Sequence, residues 1–412
     1  MKKNVIASAV IGNSLEWYDY LLYACFAEIF GRIFFPSQNP YTSLMLSFAV
    51  FAVGFIARPL GGVIFGYIGD EFGRKVSLTM SIILIAIPTT AIGLLPTYEK
   101  IGILAPILLI IMRILQGISL GGEFSASSTF LVESAPKGRK GFFGSLSTSS
   151  IAVGMLFASL SVSVLYKFFS LAEVELFAWR IPFLLSFIIG LFGLYTRSTL
   201  EESSEFCEAK NTNKLLKKPF SEIFRKHRFN FFVACGIFMC VTIPFYTFIV
   251  FSKTMMSIFQ YQQSEISFLH TTMLITFMLF ALFFGFLSDR INARKFLIFS
   301  AICIGIFIVP FIWVIKHHIT HLLIPVCILA GILIATFQGI VPTLIVQSFP
   351  IAVRSSGVAL SYSITAAIFG GTAPLILTFL MKSLNVFAIA LYVIFGCTCS
   401  VYALISSLKR IK

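Results

Sequence analysis

The sequence predicts an all-α membrane protein in which twelve transmembrane helices form two pseudo-symmetric bundles of six. Three observations predict this fold class. Of 412 residues, 58% are hydrophobic and 12% are charged, about half the charged fraction of soluble domains. The apolar residues fall into blocks of about 20 residues, long enough to cross a hydrocarbon core about 30 Å thick. Several short sequence features also occur twice, at matching places in the two halves of the chain.

The apolar blocks set the order of the predicted elements. We predict spans at 5–30, 41–66, 76–96, 104–132, 142–168, 178–197, 229–252, 265–287, 296–316, 322–349, 355–381 and 385–408. No block resembles a cleavable signal peptide, since the chain leads from Met1 straight into a long apolar segment. The one long polar stretch divides six spans from six, and we expect an interfacial helix there. The predicted units are an N-terminal bundle (1–197), a central cytoplasmic loop (198–228) and a C-terminal bundle (229–412).

The basic residues are distributed unevenly, which predicts an orientation rather than a nucleic-acid partner. The formal charge is +14. Most of the 31 Lys and Arg residues, including Arg197 and Lys214, fall in the loops on one side of the predicted bundle. The loops on the other side hold Arg32, Lys100, Lys167, Lys253, Lys316 and Lys382. Because positive loops stay inside, both termini are expected in the cytoplasm and the protein in the inner, or plasma, membrane.

Two charged hairpins are the most informative of the repeated features. They lie at Gly66–Lys75 and Gly285–Lys295, each between two apolar spans. Asn292 stands where the first hairpin has Gly73, and we expect it to take the same left-handed turn. The hairpins are expected either to gate the protein or only to anchor its topology. The candidate gating residues are Asp70, Gly73, Arg74 and Lys75, with Asp289 and Arg290 acting more weakly.

The repeated halves are typical of secondary transporters, whose substrate site lies between the halves near the midplane. Gln116-Gly117 in the fourth span corresponds to Gln338-Gly339 in the tenth. Ionisable residues inside spans are concentrated in the first half, and such residues are costly in a bilayer and tend to mark ion pathways. The candidate proton-coupling residues are therefore Glu16, Asp19, Arg113 and Glu123.

The first two of these carboxylates lie three residues apart, so they share one face of the first helix. In a low-dielectric environment the two carboxylates do not easily ionise together, so one of them can hold a proton near neutral pH. A buried Arg113 needs an acidic or carbonyl partner, and Glu16, Asp19 and Glu123 are all candidates. Glu123 follows two glycines, so it serves equally well as a proton relay or as an interhelical hydrogen-bonding group.

Four segments carry a resemblance to a known family: Gly12–Tyr20, Arg58–Gly62, Gln116–Glu123 and Trp179–Phe183. In register and over nearly the whole chain, they resemble the metabolite:H⁺ symporter family of the major facilitator superfamily, and most of all its proline/betaine transporters. The resemblance implies the major facilitator fold, alternating access, and a part for Arg113 in proton coupling. Osmosensing members often carry a carboxy-terminal coiled coil. This sequence shows no heptad extension before Lys412, so we do not expect osmotic gating by that device.

The resemblance implies proton symport of a small carboxylate-bearing solute, with uptake of proline or glycine betaine as the leading expectation. A 2-oxoglutarate, citrate or shikimate symporter is the alternative, because substrate does not follow from fold. Arg58 suits a substrate carboxylate, or it pairs within its bundle. An aromatic cage suits a quaternary ammonium, although many aromatics simply fill the core. The candidate substrate-binding residues are Trp17, Tyr20, Arg58, Gln116, Tyr246, Gln338 and Tyr362.

Two other classes of protein remain as rivals. One is a non-transporting membrane sensor on the same scaffold, and the other is a membrane enzyme. No nucleotide-binding loop and no His-Glu-x-x-His pattern occurs in the sequence. We therefore expect no catalytic residues, no metal and no cofactor. The expected partners are a small-molecule substrate, the proton and the lipid bilayer, with no obligate protein partner.

Overall fold

A computed structural model of the protein describes residues 3–212, 216 and 219–409, and its architecture is that of the predicted fold class. Twelve long helices dominate, and the described residues include no strand. Their bounds are α1 Lys3–Phe34, α2 Pro40–Glu71, α3 Arg74–Leu94, α4 Leu104–Glu133, α5 Lys140–Phe168, α6 Arg180–Ser198, α7 Arg228–Ile258, α8 Gln263–Ser288, α9 Ala293–Lys316, α10 Thr320–Ser348, α11 Ile351–Ser383 and α12 Val386–Lys409.

Eleven of these helices, all except α1, are long and apolar enough to cross a membrane. Helix α1 is 32 residues long, but it carries polar groups at Asn13, Glu16 and Asp19. All three side chains are buried, so they face protein rather than lipid. The polarity that distinguishes α1 from the other helices therefore belongs to the interior of the bundle.

The two halves meet at two helix contacts, one made by α2 and the other by α5. Helix α2 packs against α11, and α5 packs against α8 and α10. Small residues permit this close approach. A Cβ placed on Gly66 of α2 would lie 2.7 Å from the Cα of Ser356 on α11, which is closer than real atoms approach. Both contacts therefore bring backbone close to backbone across the boundary between the halves.

Helices α7 and α11 each change winding where they pass the centre of the molecule. In α7, a π-helical stretch at Tyr246–Phe251 follows Pro244. Proline removes a backbone donor and so loosens the hydrogen-bond ladder around it. In α11 the π-helical stretch is Ala366–Gly370. Such stretches often occur at functional sites, and the first of them begins at one of the predicted substrate residues.

The central polar stretch contains two short helices rather than the single helix predicted. They are Ser204–Asn211 and Pro219–Lys226. Proline disfavours a helical conformation in the residue before it, which explains why a new helix begins at Pro219. Lys214 lies outside the described residues, as do Met1 and Lys412.

The second hairpin differs from its prediction. Asn292 does not take a left-handed turn; its φ is −74°, and its side chain accepts a hydrogen bond from the backbone N–H of Lys295. It is thus the N-cap of α9, a position that asparagine favours. Gly73 does have a positive φ, of 115°.

We call the end of the bundle that carries Asp70, Arg74, Glu133, Asp289 and Arg354 the hairpin face.

Candidate transport site and gate

Asp19 is the acidic partner of Arg113, which resolves the alternatives left by the sequence. The Arg113 guanidinium donates to Asp19 at 3.0 Å and to the side-chain oxygen of Gln116 at 2.8 Å. The amide of Gln116 donates to the other Asp19 oxygen at 2.7 Å and to Thr89 at 2.9 Å. The ring of Tyr23 lies 4.2 Å from the guanidinium carbon. Both oxygens of the buried carboxylate are therefore hydrogen-bonded, by groups three residues apart on one face of α4.

Glu16 forms a second buried pair, with Arg58 of α2. The shortest distance between the two groups is 3.4 Å, and both side chains are 1% exposed. The second carboxylate oxygen of Glu16 and the Nε of Arg58 are buried without a hydrogen-bond partner. The guanidinium carbon lies 5.3 Å from the ring centre of Phe55 and 5.5 Å from that of Tyr362. The two pairs therefore differ at their carboxylates: that of Glu16 is incompletely satisfied and that of Asp19 is not, while the Nε of Arg113, like that of Arg58, has no partner among the described residues.

Glu123 pairs with Arg197, a residue that the sequence analysis wrongly assigned to an inner loop. Arg197 lies on α6 with its side chain fully buried, and it donates to Glu123. Ser81 of α3 also donates to this carboxylate. A Cβ on Gly12 of α1 would overlap both charged groups, so the glycine allows α1 to cover the pair. Hydropathy cannot reveal this arrangement, because a basic residue at a helix end looks like a loop residue.

A small central cavity lies between the halves; the volume open to the centre of a water-sized sphere is about 10 Å³, room for about one water molecule in this closed arrangement. It is lined by Trp17, Ile151, Val241, Thr242, Phe245, Tyr246, Gln338 and Tyr362. Four of the predicted substrate residues are among them. The indole N–H of Trp17 and the hydroxyls of Thr242 and Tyr246 are buried without a hydrogen-bond partner among the described residues, so the lining offers three unused polar groups to a solute. Thr242 was missed by sequence reasoning, although it lies one turn before Tyr246.

The other three predicted substrate residues lie beside this cavity rather than on its lining. Tyr20 packs on Trp17, with ring centres 5.1 Å apart. Arg58 lies against the ring of Tyr362. Gln116 belongs to the hydrogen-bonded network of Asp19. The cavity lining and the Asp19 network are therefore separate sets of residues, and they are joined through α1, where Trp17 and Asp19 lie two residues apart.

At the hairpin face, Asp70 connects the first half to the second. Its carboxylate accepts hydrogen bonds from the backbone N–H groups of Ser355 at 2.9 Å and Ser356 at 2.8 Å, in the first turn of the α-helical part of α11. Arg74 pairs with Asp70 at 3.1 Å and with Glu133 at 3.1 Å. The same guanidinium donates to the backbone carbonyl of Ile351 at 3.1 Å. These contacts close the hairpin face.

Asp289 makes the corresponding contact from the second half to the first. It accepts from the backbone N–H groups of Gly141 at 2.7 Å and Phe142 at 3.1 Å, in the first turn of α5. Arg290 instead lies over the ring of Phe286, in its own half. Lys75 donates to the carbonyl of Leu200, beyond α6. Among the predicted gating residues, Asp70, Arg74 and Asp289 therefore cross between the halves, whereas the recorded contacts of Lys75 and Arg290 do not.

The hairpin face also carries ion pairs of residues that the sequence analysis did not single out. Arg354 donates to Glu133 at 2.9 Å and to Glu205 at 2.7 Å, and Lys140 donates to Glu205 at 2.6 Å. Burial raises the pKa of Glu205, but the hydrogen bonds from Lys140 and Arg354 outweigh it and hold that pKa below its ordinary value. A signal was available in the sequence, since Lys140 and Arg354 each lie four residues after a proline, Pro136 or Pro350, at corresponding places in the two halves. Sequence alone gave no acidic partner for them.

Comparisons with known proteins agree with this architecture. A family model described as "Sugar (and other) transporter" matches residues 5–218, and one described as "Major Facilitator Superfamily" matches residues 243–410. Among solved structures, a proton:xylose symporter bound to 6-bromo-6-deoxy-D-glucose superposes with a TM-score of 0.80 at 16% identity, covering 99% of this chain and 95% of that one. The Escherichia coli fucose:proton symporter gives 0.67 at 12% identity, covering 98% and 99%. The predicted fold class is confirmed.

Three similar proteins extend the comparison to sequence. The "Putative proline/betaine transporter" of Staphylococcus aureus (strain MSSA476) is 36% identical, covering 92% of this chain and 82% of its own. The glycine betaine/proline/ectoine/pipecolic acid transporter of Dickeya dadantii (strain 3937) is 31% identical, covering 95% and 80%. The proline/betaine transporter of Escherichia coli (strain K12) is 30% identical with the same coverage. The chain therefore belongs to the major facilitator superfamily of membrane transporters, in the group that includes these proline/betaine transporters.

Proposed function

We propose that this transporter carries proline, glycine betaine or a closely related zwitterion into the cell together with a proton. The observation that carries the proposal is the central cavity, which combines aromatic walls with three unused polar groups. It lies beside Arg58, which contacts the lining residue Tyr362 and pairs with the buried carboxylate of Glu16. Aromatic faces attract a quaternary ammonium, and an arginine fork suits a carboxylate. The names of the three relatives support the same substrate class.

Asp19 and Arg113 are the proposed coupling pair. Protonation of Asp19 removes the charge that holds Arg113, so it changes the hydrogen bonding among α1, α3 and α4 at one point. Charged groups buried at this depth are costly unless they are paired. A proton bound here therefore alters the relative stability of two conformations, as coupling requires. We assign Glu123 to packing rather than to a relay, because Arg197 and Ser81 already engage it.

The proposed transport cycle is a rocking motion of the unit 1–197 against the unit 229–412, with 198–228 as the linker. In the arrangement described here, the hairpin face is closed by Asp70, Arg74 and Asp289. The positive-inside rule makes this face cytoplasmic, so both termini lie in the cytoplasm and the protein lies in the inner, or plasma, membrane. Release of the solute to the cell interior then requires that these contacts break.

Uptake into liposomes tests the proposal. The purified protein is reconstituted, and labelled proline, glycine betaine and 2-oxoglutarate are each followed under an imposed inward proton gradient. We expect gradient-dependent accumulation of proline or glycine betaine. Accumulation of 2-oxoglutarate alone would replace the zwitterion with a dicarboxylate as the substrate.

The coupling assignment is tested in the same liposomes with Asp19→Asn. This variant should lose accumulation against a gradient while still exchanging internal for external solute, because Asn preserves the shape of the site without the titrating group. Glu28→Gln is the matched control, since Glu28 lies on the same helix with its side chain 73% exposed. Accumulation at the wild-type level by Asp19→Asn would remove Asp19 from the coupling mechanism.

A further inference from the structure

We propose that the Glu16–Arg58 pair is a zwitterion clamp, which opens to take the substrate carboxylate on Arg58 and the substrate ammonium beside Glu16. The inference rests on the proposed function, since it assigns the two ends of the solute within the same site. It moves Glu16 from the coupling role predicted by the sequence to a role in selecting the substrate. Under this assignment, Glu16 discriminates zwitterions from anions.

The two acid–arginine pairs of α1 differ in how fully their carboxylates are satisfied. Both oxygens of Asp19 accept hydrogen bonds, at 3.0 Å and 2.7 Å. Glu16 and Arg58 approach only to 3.4 Å, and each has a buried polar atom without a partner. A buried polar group left unpaired is unfavourable, because it has lost its hydrogen bonds to water without replacement. The Glu16–Arg58 pair therefore has unused capacity for hydrogen bonding, whereas the Asp19 network has none at its carboxylate.

The position of the pair connects this capacity to the cavity. Tyr362, whose ring centre lies 5.5 Å from the Arg58 guanidinium carbon, lines the cavity. Trp17 follows Glu16 in the sequence and also lines it. Its indole lies 5.3 Å from the ring of Phe245, another lining residue. A small solute in the cavity therefore has Arg58 behind the aromatic wall that Tyr362 forms, with Glu16 paired to that arginine.

Electrostatics favours a zwitterion as the group that separates the pair. Separating two buried opposite charges is unfavourable unless each of them gains a new partner. A zwitterion supplies both partners at once, so every charge in the site stays paired. A dicarboxylate supplies a partner for Arg58 only and leaves its second carboxylate near Glu16, where like charges repel. The clamp therefore selects proline or betaine over 2-oxoglutarate or citrate.

The test uses two ligands of almost identical shape. In 3,3-dimethylbutanoate, a carbon atom replaces the quaternary nitrogen of glycine betaine, so the carboxylate remains and the positive charge is lost. Binding of each ligand to the full-length wild-type protein in lipid nanodiscs is measured by calorimetry. We expect glycine betaine to bind at least about tenfold more tightly, because a buried charge pair contributes about 1.4 kcal/mol or more.

Variants then locate the source of the discrimination. Glu16→Gln should reduce the preference for glycine betaine over 3,3-dimethylbutanoate by about tenfold, chiefly because glycine betaine binds more weakly. Continued binding of 3,3-dimethylbutanoate would show that this variant remains folded. Arg58→Gln should weaken the binding of both ligands by the same factor and leave the preference unchanged. Glu28→Gln, on the exposed side of α1, should match the wild type.

The outcomes separate this inference from the proposed function. If the wild type binds glycine betaine but shows no preference for it over 3,3-dimethylbutanoate, the clamp is wrong while the substrate assignment stands. This result needs no variant and so does not depend on whether Glu16→Gln folds. An unchanged preference in a folded Glu16→Gln protein would overturn the clamp as well. If the wild type binds neither ligand, the proposed substrate class itself is wrong, and the clamp falls with it.

Discussion

The carboxylate of Asp70 accepts a hydrogen bond from the backbone N–H of Ser356 at 2.8 Å, although the two residues belong to different halves of the molecule. An acidic side chain at a helix N-terminus satisfies free N–H groups and interacts favourably with the helix dipole. Asp289 has the same relation to the first turn of α5. The repeated hairpins therefore act in opposite directions, each supplying a cap to a helix of the other half.

Replacing Asp70 by Asn should shift the protein towards a state open at the hairpin face. The variant loses the charge that caps α11 and pairs with Arg74. This loss should change the free-energy difference between the closed and open states by about 1–2 kcal/mol, which is a factor of about 5–30 in the ratio of their populations. Spin labels introduced by Lys137→Cys and Lys295→Cys in a cysteine-free background report the separation of the halves. We expect a longer-distance population to grow in Asp70→Asn.

Asp289→Asn should give a smaller shift in the same measurement. Within the described part of the chain, Asp70 has a recorded ion pair with Arg74, whereas Asp289 has backbone contacts only. Glu222→Gln is the control, since Glu222 pairs with Lys226 within one short helix. Distances that stay at wild-type values in both Asp variants would reduce the hairpins to topological anchors.

The sequence predicted the helices well because a helix must be a long apolar segment to cross a bilayer, and such segments can be read directly from the sequence. It also placed Glu16, Asp19 and Arg113 inside the protein, because each interrupts an apolar span. It did not predict partners. Asp19 rather than Glu16 meets Arg113 because of the packing angles of α1 and α4. Nothing in local sequence distinguished buried Arg197 from a loop arginine, since that depends on the space beside Gly12.

Gly73 is required by the shape of the first hairpin. Its φ of 115° and ψ of 159° lie in a region almost restricted to glycine. A Cβ there would also overlap the carboxylate of Glu202, which accepts from the backbone N–H of Lys75. Gly73→Ala should therefore destabilise the protein by about 1–3 kcal/mol or more, measured as a fall in the thermal unfolding midpoint in detergent.

Gly138→Ala provides the matched control for this prediction. Gly138 also has a positive φ, of 77°, but a Cβ there has no atom within 4 Å. It should lower the midpoint less than Gly73→Ala, because it adds backbone strain without an overlap. Equal effects of the two variants would mean that backbone strain alone, and not the contact with Glu202, makes Gly73 necessary.

The contacts of Glu205 should make closure of the hairpin face insensitive to pH near neutrality. Burial raises the pKa of Glu205, and the hydrogen bonds from Lys140 and Arg354 lower it further than burial raises it. A depressed pKa in the closed state stabilises that state above the ordinary glutamate pKa, and the effect is lost as the pH falls through the depressed value. The spin-label distances should therefore stay constant between about pH 5.5 and 8.

Glu205→Gln should increase the open population throughout that range, because it removes the charge at every pH. Glu208→Gln is the control, since Glu208 is an exposed residue of the same short helix. If the wild type opened progressively between about pH 8 and 5.5 and Glu205→Gln did not, Glu205 would be a pH sensor, contrary to this assignment. The pH dependence of transport is expected to arise at Asp19 instead.

The Glu123–Arg197 pair distinguishes packing from proton relay most directly. Both side chains are fully buried, so Glu123→Gln leaves a buried guanidinium without its counter-charge. Removing one partner of such a pair costs about 3–5 kcal/mol, whereas replacing both by apolar residues of similar volume is often neutral. We therefore expect Glu123→Gln to unfold at a lower temperature than the wild type, and Glu123→Leu/Arg197→Met to recover most of the loss.

Transport by the double variant decides the role of Glu123. If the pair only joins α4 to α6, the double variant should still accumulate glycine betaine under a proton gradient, because Asp19 and Arg113 are intact. If Glu123 relays protons, the same variant should fold, exchange solute and fail to accumulate it. The apolar pair keeps the packing and removes the titratable group, so the two roles give opposite results in one stable protein.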